Sequence, residues 1–224
     1  DLPVDFAPGT RYAYNNSGYV LAGAVVEAIT GTPWHEAMQT QLLQPNQVAV
    51  SYPAPARLVP AHVAGYTRAG SAWAPAELLS MTQPHAAGAL VGNVESLWRW
   101  NQALHERGML KAATYQRMVT PQSTAEASRY GLGIFSKRIR GMPALQHDGD
   151  INGFGTWLVY LPAQRITVAL LRNSDHNTPD LDLIGRRMGA FAAGKSYPAV
   201  VPVAVSAADL KAYEGVYSQG AVTR

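Results

Sequence analysis

The sequence predicts an α+β fold in which helices come first, antiparallel strands follow, and a further helix closes the domain. Over the first part of the chain, apolar residues recur at helical spacing, whereas from residue 130 onward the pattern changes to alternating, β-branched runs. Only Pro162-Ala163-Gln164 separates the last two of these runs. That is hairpin length, while parallel strands would need a crossover of about a dozen residues, so the sheet is expected to be antiparallel.

Two helices are predicted near the start of the chain. The first runs from Ser17 to Thr30, with Asn15 or Asn16 as the N-cap and Gly31 as the C-cap. A second helix is expected to begin at Thr32-Pro33, in cap-then-N1 order. The residues at helical spacing are Leu21, Val25, Ala28 and Ile29 in the first helix and Trp34, Met38 and Leu42 in the second.

The chain then loses its periodicity before two further helices. Residues 46–90 contain five prolines and no sustained period, which predicts a long irregular connection. Asn93 is expected to cap a third helix with Leu97, Trp100 and Leu104 inward, and a short fourth helix runs from Lys111 to Val119.

Four strands and a closing helix are predicted after residue 121. The strands are Tyr130 to Arg138, Ala144 to His147, Thr156 to Leu161 and Arg165 to Arg172. Thr178-Pro179 is expected to cap the helix, whose buried stripe would be Leu181, Ile184, Met188 and Phe191. The predicted division is a helical subdomain over 1–120, the sheet with its closing helix over 121–194, and a linker leading into the start of a further module over 195–224.

Composition excludes several classes of protein. The net charge is only +3 and the 18 Lys and Arg are scattered, so a nucleic-acid partner is not expected. No stretch reaches the roughly 18 apolar residues of a membrane span. With no cysteine, disulfides and thiolate metal sites are excluded. Residues 148–153 match half of a calcium-binding loop, but position twelve is Val159, so neither a metal nor another cofactor is predicted.

Two short motifs indicate chemistry. Tyr14-Asn15-Asn16 stands immediately before the first helix, and His147-Asp148-Gly149 stands at the end of a predicted strand. Together with Ala86-Ala87-Gly88-Ala89-Leu90 and Tyr130-Gly131-Leu132-Gly133-Ile134, this arrangement resembles the β-lactamase and penicillin-binding superfamily of serine hydrolases. The resemblance is to its class C branch, which includes D-alanyl-D-alanine carboxypeptidases and family VIII esterases, and it covers residues 1 to about 194.

The resemblance implies an incomplete fold and an incomplete site. That family uses Ser-x-x-Lys, Tyr-x-Asn and Lys-Thr-Gly or His-x-Gly, and no serine in this chain is followed by Lys three residues on. Relatives carry that motif well upstream of Tyr-x-Asn. We therefore expect a companion N-terminal segment with Ser-x-x-Lys, or self-association through the uncovered inner edge and core face of the sheet. The resemblance also implies export to the periplasm or outside the cell.

Each motif residue has an expected role. Tyr14 would take the proton of the serine, which requires a nearby positive charge because a phenol has a pKa of about 10. The Asn16 amide suits positioning of the lysine and of a substrate carbonyl. His147 replaces the lysine found in many relatives and would donate toward the substrate or the tyrosine, and Gly149 would let a substrate lie along the strand. The resemblance makes the Asp150 N–H a donor to the oxyanion.

Asp148 departs from the pattern of β-lactam-binding relatives, which have a hydroxyl residue there. If Asp148 and Asp150 both face the cleft, they would repel a carboxylate and raise the pKa of His147. Neutral esters or amine-bearing amides would then be better substrates than β-lactams. The alternative to an acyl-transfer enzyme is an inactive relative that binds peptidoglycan or D-amino acid peptides.

Overall fold

The computed structural model describes residues 3–53 and 62–215, and the two short strands Ser218–Gln219 and Val222–Thr223. The first part of the chain contains helices and the middle part an antiparallel sheet, which confirms the predicted fold class. The helices are α1 (Asn16–Thr30), α2 (Trp34–Met38), α3 (Val94–His105), α4 (Ala112–Val119), α5 (Leu181–Ala192) and α6 (Ala207–Lys211). No helix in the described ranges has the length and apolar composition that a membrane span requires.

Both ends of α1 and the start of α3 follow the sequence prediction. The Asn15 side chain accepts a hydrogen bond from the backbone N–H of Gly18 at 2.8 Å, and Asn93 caps α3 in the same way through the N–H of Ser96. Gly31 ends α1 in the left-handed conformation, with φ of 69°. Side-chain oxygens and a glycine therefore satisfy the backbone groups that the helix leaves unpaired.

The second helix differs from the prediction in its start and in its buried face. Pro33, not Thr32, occupies the cap position, and the N–H of Trp34 is bound instead by the Glu27 carboxylate of α1 at 3.0 Å. After Met38 the chain continues as a π-helical turn, Gln39–Leu43. The extra residue in that turn shifts the register, so Leu43 rather than the predicted Leu42 is fully buried.

The prediction of an irregular connection over 46–90 was wrong in part. It contains a hairpin of two four-residue strands, β1 (Tyr66–Ala69) and β2 (Ala72–Pro75). Strands this short contain too few alternations to show a period in the sequence. Tyr66 also bridges Ser174, which attaches the hairpin to the chain that follows the main sheet. Residues 54–61 of this connection lie outside the described residues.

The main sheet has four antiparallel strands in sequence order: β3 (Phe135–Ile139), β4 (Met142–Ile151), β5 (Phe154–Leu161) and β6 (Ile166–Arg172). The first strand is shorter than predicted, because Tyr130 contributes only an isolated bridge to Phe135. β3 pairs with β4 only as far as Phe135↔Gln146, whereas β5 pairs along β4 to Ile151↔Phe154. Residues 147–151 of β4 therefore have a strand neighbour on one side only within the described part of the chain.

The closing helix α5 buries a different face from the predicted stripe. Its buried residues are Gly185, Gly189 and Ala190, while Met188 and Phe191 are 47% and 75% exposed. The reason is Trp157 of β5, whose ring lies so close to the helix that a Cβ at Gly185 would stand 2.2 Å from it. The N-cap is Asp180, which accepts from the N–H groups of Asp182 and Leu183, and not Thr178-Pro179 as predicted.

Much of the apolar surface of α1 is exposed. Its only fully buried residue is Gly23, where the helix packs so closely on the turn at Ala86 that a Cβ would stand 2.6 Å from the Ala86 Cβ. A helix that is apolar around most of its circumference is normally buried. Within the described residues, however, the apolar surface is left open at Leu21 (67%), Val25 (56%), Val26 (39%) and Ile29 (79%).

A buried histidine at the end of α3 predicts an acid sensitivity. The His105 ring stacks on Tyr160 at 4.5 Å and its Nδ1 lies 2.9 Å from the Tyr115 hydroxyl. Burial lowers the pKa of His105 to about 4, although the Glu106 charge opposes this. The unfolded chain binds the proton near pH 6.5, so it carries more protons than the folded chain between about pH 4 and 6.5, and stability falls as the pH falls through that window.

We expect this histidine to remove on the order of 3 kcal/mol from the free energy of unfolding between about pH 6.5 and 4. Urea unfolding at a series of pH values measures it. The matched variant is His105→Phe, which keeps a ring against Tyr160 but cannot titrate, so its unfolding free energy should depend less steeply on pH in this window. An unchanged slope in the variant would contradict the assignment.

Candidate active site

The two predicted motifs meet in a group of aromatic rings. The ring centroids of Tyr14 and His147 lie 6.1 Å apart, although one residue precedes α1 and the other belongs to β4. Two further rings complete the group, because Tyr130 lies 5.7 Å from Tyr14 and 4.5 Å from Phe135, and Phe135 lies 5.5 Å from His147. We call Tyr14, Tyr130, Phe135 and His147 the ring cluster.

The start of α1 determines how Tyr14 and Asn16 are presented. Asn15 uses its oxygen for the helix cap and its Nδ2 for the carbonyl of Ala13, at 3.1 Å. Asn16 is consequently the first helical residue, and its exposed side chain has no hydrogen-bond partner among the described residues. The sequence left open which asparagine caps the helix; the structure assigns the cap to Asn15, and within the described residues the Asn16 amide makes no hydrogen bond.

The environment of Tyr14 favours its protonated form. The side chain is half-exposed, and partial burial is the largest cause that raises its pKa above 10. The negative charge of Asp148 raises this pKa further, as does Tyr19. A general base has to lose its proton, so the described residues provide the opposite of what base catalysis by this phenol requires.

His147 has a partner at each ring nitrogen. Its Nδ1 lies 2.6 Å from the backbone carbonyl oxygen of Asp148, and its Nε2 lies 3.3 Å from the hydroxyl of Tyr130. The predicted contact with Tyr14 is therefore a contact between rings, and the hydrogen bond goes to a different tyrosine.

Tyr130 lies in the ring cluster, although the sequence analysis assigned it no role. Its side chain is only 6% exposed, and burial, together with a hydrogen bond involving Tyr19, raises its pKa. The signal was present in the motif Tyr130-Gly131-Leu132-Gly133, which counted toward the family resemblance. It was missed because the motif was interpreted as a strand, whereas Tyr130 precedes β3 and turns its ring toward His147.

Asp148 and Asp150 alternate with His147 and Gly149 along β4, so their side chains belong to the other face of the strand. Both carboxylates line a cavity of about 320 Å³ beside Trp157 and the start of α5. Asp150 also lies 3.8 Å from the Arg172 guanidinium. The two acids thus do not point together into the ring cluster, although Asp148 is near enough to act on the pKa of Tyr14.

The glycine of the second motif fits its strand for a reason that the sequence did not reveal. A Cβ at Gly149 would stand 2.7 Å from Oγ1 of Thr156, and this hydroxyl donates to the Gly149 carbonyl at 3.2 Å. A side chain at this position would therefore displace the Thr156 hydroxyl from β4. On the other side of β4, residues 147–151 form an unpaired edge within the described chain, next to the ring cluster.

Comparison with known proteins identifies the family to which the chain belongs. The family model named Beta-lactamase matches residues 1–193. Among curated proteins, the chain is 26% identical over 188 residues to unguisins hydrolase ungD' of Aspergillus campestris, covering 76% of this chain and 35% of that protein. It is 22% identical over 173 residues to the D-aminopeptidase of Gluconobacter oxydans, covering 76% and 33% respectively.

A solved structure shares the fold. The D-stereospecific amidohydrolase from Streptomyces sp. superimposes with a TM-score of 0.68 at 24% identity, over 76% of this chain and 53% of that one. The chain thus spans about half of this structure and about a third of the length of the curated relatives it matches.

The electrostatics of the site predict how Tyr14 titrates. We expect the pKa of Tyr14 in this chain to lie above 10 and to fall in Asp148→Asn, because that substitution removes a negative charge that disfavours the phenolate. The pH dependence of the ring Cζ resonance in ¹³C-tyrosine-labelled protein measures this, with Tyr14→Phe for assignment.

The neighbouring substitution Asp150→Asn serves as the control. It removes the same charge two residues further along β4, beside Arg172, and should leave the pKa of Tyr14 nearly unchanged. An equal effect of the two substitutions would mean that the pKa of Tyr14 depends on the net charge of the protein and not on the position of Asp148.

Proposed function

Because the chain belongs to the beta-lactamase family, we propose that it is the base-bearing and substrate-clamping part of a serine hydrolase that forms an acyl-enzyme with an amide, ester or lactam. The observation that carries this proposal is the meeting of Tyr14 and His147 beside residues 147–151 of β4, whose second edge has no strand partner among the described residues. A base candidate, an amide for positioning and a free strand edge are the parts that acyl transfer needs around a serine.

Tyr14 is the proposed acceptor of the serine proton. A serine hydroxyl attacks poorly unless a neighbouring group removes its proton. Since the surroundings of Tyr14 raise its pKa, a positive charge has to be brought to it before it can act as a base at neutral pH. The lysine of a Ser-x-x-Lys segment would supply that charge and would arrive together with the nucleophile.

The edge of β4 that has no strand partner among the described residues, formed by residues 147–151, is the proposed binding site of the substrate. An extended acyl chain can add to an unpaired strand edge through backbone hydrogen bonds. At this edge the backbone N–H of Asp150 is the proposed donor to the oxyanion, a contact typically worth about 2.7–4 kcal/mol in the transition state. The Asn16 amide, which has no partner in the described part of the chain, is proposed to hold the substrate carbonyl.

The companion segment is proposed to cover α1. Two observations support this: the chain contains no Ser-x-x-Lys, and the exposed side of α1 carries apolar residues such as Leu21 and Ile29. Burying that face would remove a large apolar area from water and would bring the covering segment to the helix whose N-terminus carries Tyr14 and Asn16. Folding of the segment and assembly of the site would then be one event.

Neutral esters and uncharged or amine-bearing amides are the proposed substrates. The names of the relatives, a D-aminopeptidase and a D-stereospecific amidohydrolase, describe amide hydrolysis in those proteins. In this chain the negative charge of Asp148 acts on Tyr14, and it would equally disfavour a substrate carboxylate beside the phenol.

We expect Tyr14→Phe in the protein that includes the companion segment to lower kcat by roughly 10²–10⁴-fold with KM retained, because only the proton transfer is lost. Hydrolysis of a D-aminoacyl anilide and of a short acyl ester measures it. Tyr12→Phe removes a hydroxyl from the same segment and should leave kcat unchanged.

The same assay separates the alternatives. If a chromogenic cephalosporin is hydrolysed faster than the neutral substrates, the proposed substrate class is contradicted, whereas the proposed acyl-enzyme mechanism is not. If the protein shows neither hydrolysis nor labelling by a serine-directed fluorophosphonate, the proposal of an enzyme is overturned. The alternative, an inactive protein that binds peptidoglycan or D-amino acid peptides, is then favoured.

The 224-residue chain alone is expected to self-associate through the exposed face of α1. Light scattering with size-exclusion chromatography should show oligomers that shift toward the monomer in the double variant Leu21→Lys/Ile29→Lys, because two charges on this face oppose its burial. The control is Val200→Lys/Val203→Lys, which changes two equally exposed apolar residues outside α1 and should not alter the association. A monomeric parent chain would contradict the expectation.

A further inference from the structure

The hydrogen bonds around His147 constrain where its proton lies. A carbonyl oxygen can only accept, so the 2.6 Å contact between Nδ1 and the Asp148 carbonyl requires a proton on Nδ1. In a neutral imidazole the other nitrogen is then unprotonated and accepts. The partner at that nitrogen is the Tyr130 hydroxyl, at 3.3 Å from Nε2.

Tyr130 is suited to be the donor in that contact. It is 6% exposed, and a buried hydroxyl proton needs an acceptor because leaving it unpaired is costly. The other hydroxyl beside it, that of Tyr19, carries a proton of its own and can donate to the Tyr130 oxygen, whereas an unprotonated Nε2 can only accept. Burial also raises the pKa of the Tyr130 phenol, which keeps the O–H intact. The edge-on packing of Tyr130 against Phe135, with an interplanar angle of 64°, fixes the direction from which the hydroxyl reaches the imidazole.

We propose that Tyr130 is a positioning residue that, together with the Asp148 carbonyl, holds His147 as a neutral imidazole with its proton on Nδ1. Both ring nitrogens are then occupied by protein groups. The substrate meets the face and edge of the imidazole ring within the ring cluster, and His147 offers it neither a proton nor a positive charge.

This inference rests on the proposed function for its consequence. A lysine at this position would place an ammonium at the site and bind a substrate carboxylate as a point charge. A neutral imidazole cannot do so, and the nearby Asp148 is negative. The substrate class that fits is therefore an ester or amide without a carboxylate next to the scissile bond, recognised by aromatic contact and by the β4 edge.

Nuclear magnetic resonance of the chain labelled with ¹⁵N in its histidine side chains tests the proposal directly. In long-range ¹H–¹⁵N spectra at neutral pH, the signals that disappear in His147→Phe should show a protonated Nδ1 and an unprotonated, hydrogen-bonded Nε2. In Tyr130→Phe the Nε2 resonance should shift toward that of an unbonded nitrogen while Nδ1 stays protonated.

Tyr12→Phe is the matched control. Tyr12 lies 5.7 Å from Tyr130, and its buried hydroxyl has no partner in the described part of the chain. The substitution removes the same atom from the same neighbourhood without touching His147, so the His147 signals should not move. A shift in both variants would mean a general disturbance of packing and would overturn the positioning role.

Three other results would also overturn the proposal: a proton on Nε2 in the neutral ring, an imidazolium at neutral pH, or an Nε2 resonance that is unchanged in Tyr130→Phe. If Tyr130→Phe does not fold, as judged by circular dichroism, the tautomer of the parent chain alone still decides. None of these measurements requires activity, so failure of the proposed hydrolase and failure of this inference are distinguished.

Discussion

The site depends on aromatic contacts between the segment before α1 and the sheet. Tyr14 packs edge-on against Tyr130 at 5.7 Å, and Tyr130 in turn reaches His147 of β4 through its hydroxyl. Asn15 fixes the other end of that segment by capping α1. One helix cap and the rings of the cluster therefore position the phenol relative to the β4 edge, and Tyr130 is a buried ring that contacts both Tyr14 and His147.

Local signals predicted most of the fold. Asn15 and Asn93 begin their helices and Gly31 ends one as expected, because a cap is decided by a residue and the backbone beside it. The prediction of the buried face of α5 was wrong because that face is determined by a contact with a residue distant in sequence. The Trp157 ring occupies the space that a side chain at Gly185 would need, so the helix turns its small residues inward and leaves Phe191 exposed.

The same distinction separates the predicted from the missed site residues. Tyr14 and His147 lie in short motifs, and the structure brings their rings together. Tyr130 was missed because its importance comes from a contact with His147 across the loop into β3, which no local spacing encodes. Gly149 was given a role toward the substrate, whereas its immediate constraint is the hydroxyl of Thr156 on the next strand.

The electrostatics of the ring cluster indicate that the charge needed to form a Tyr14 phenolate is not supplied by the cluster itself. Burial and Asp148 both raise the pKa of Tyr14, and the hydrogen bonds of His147 leave no ring N–H directed at the phenol. Stabilising a phenolate in such a site therefore requires a cation from outside the cluster. In the proposed mechanism that cation is the lysine of a Ser-x-x-Lys segment, and Tyr14 would become a competent base only when the proposed serine nucleophile is also in place. Without that lysine, the phenol of Tyr14 remains protonated at neutral pH.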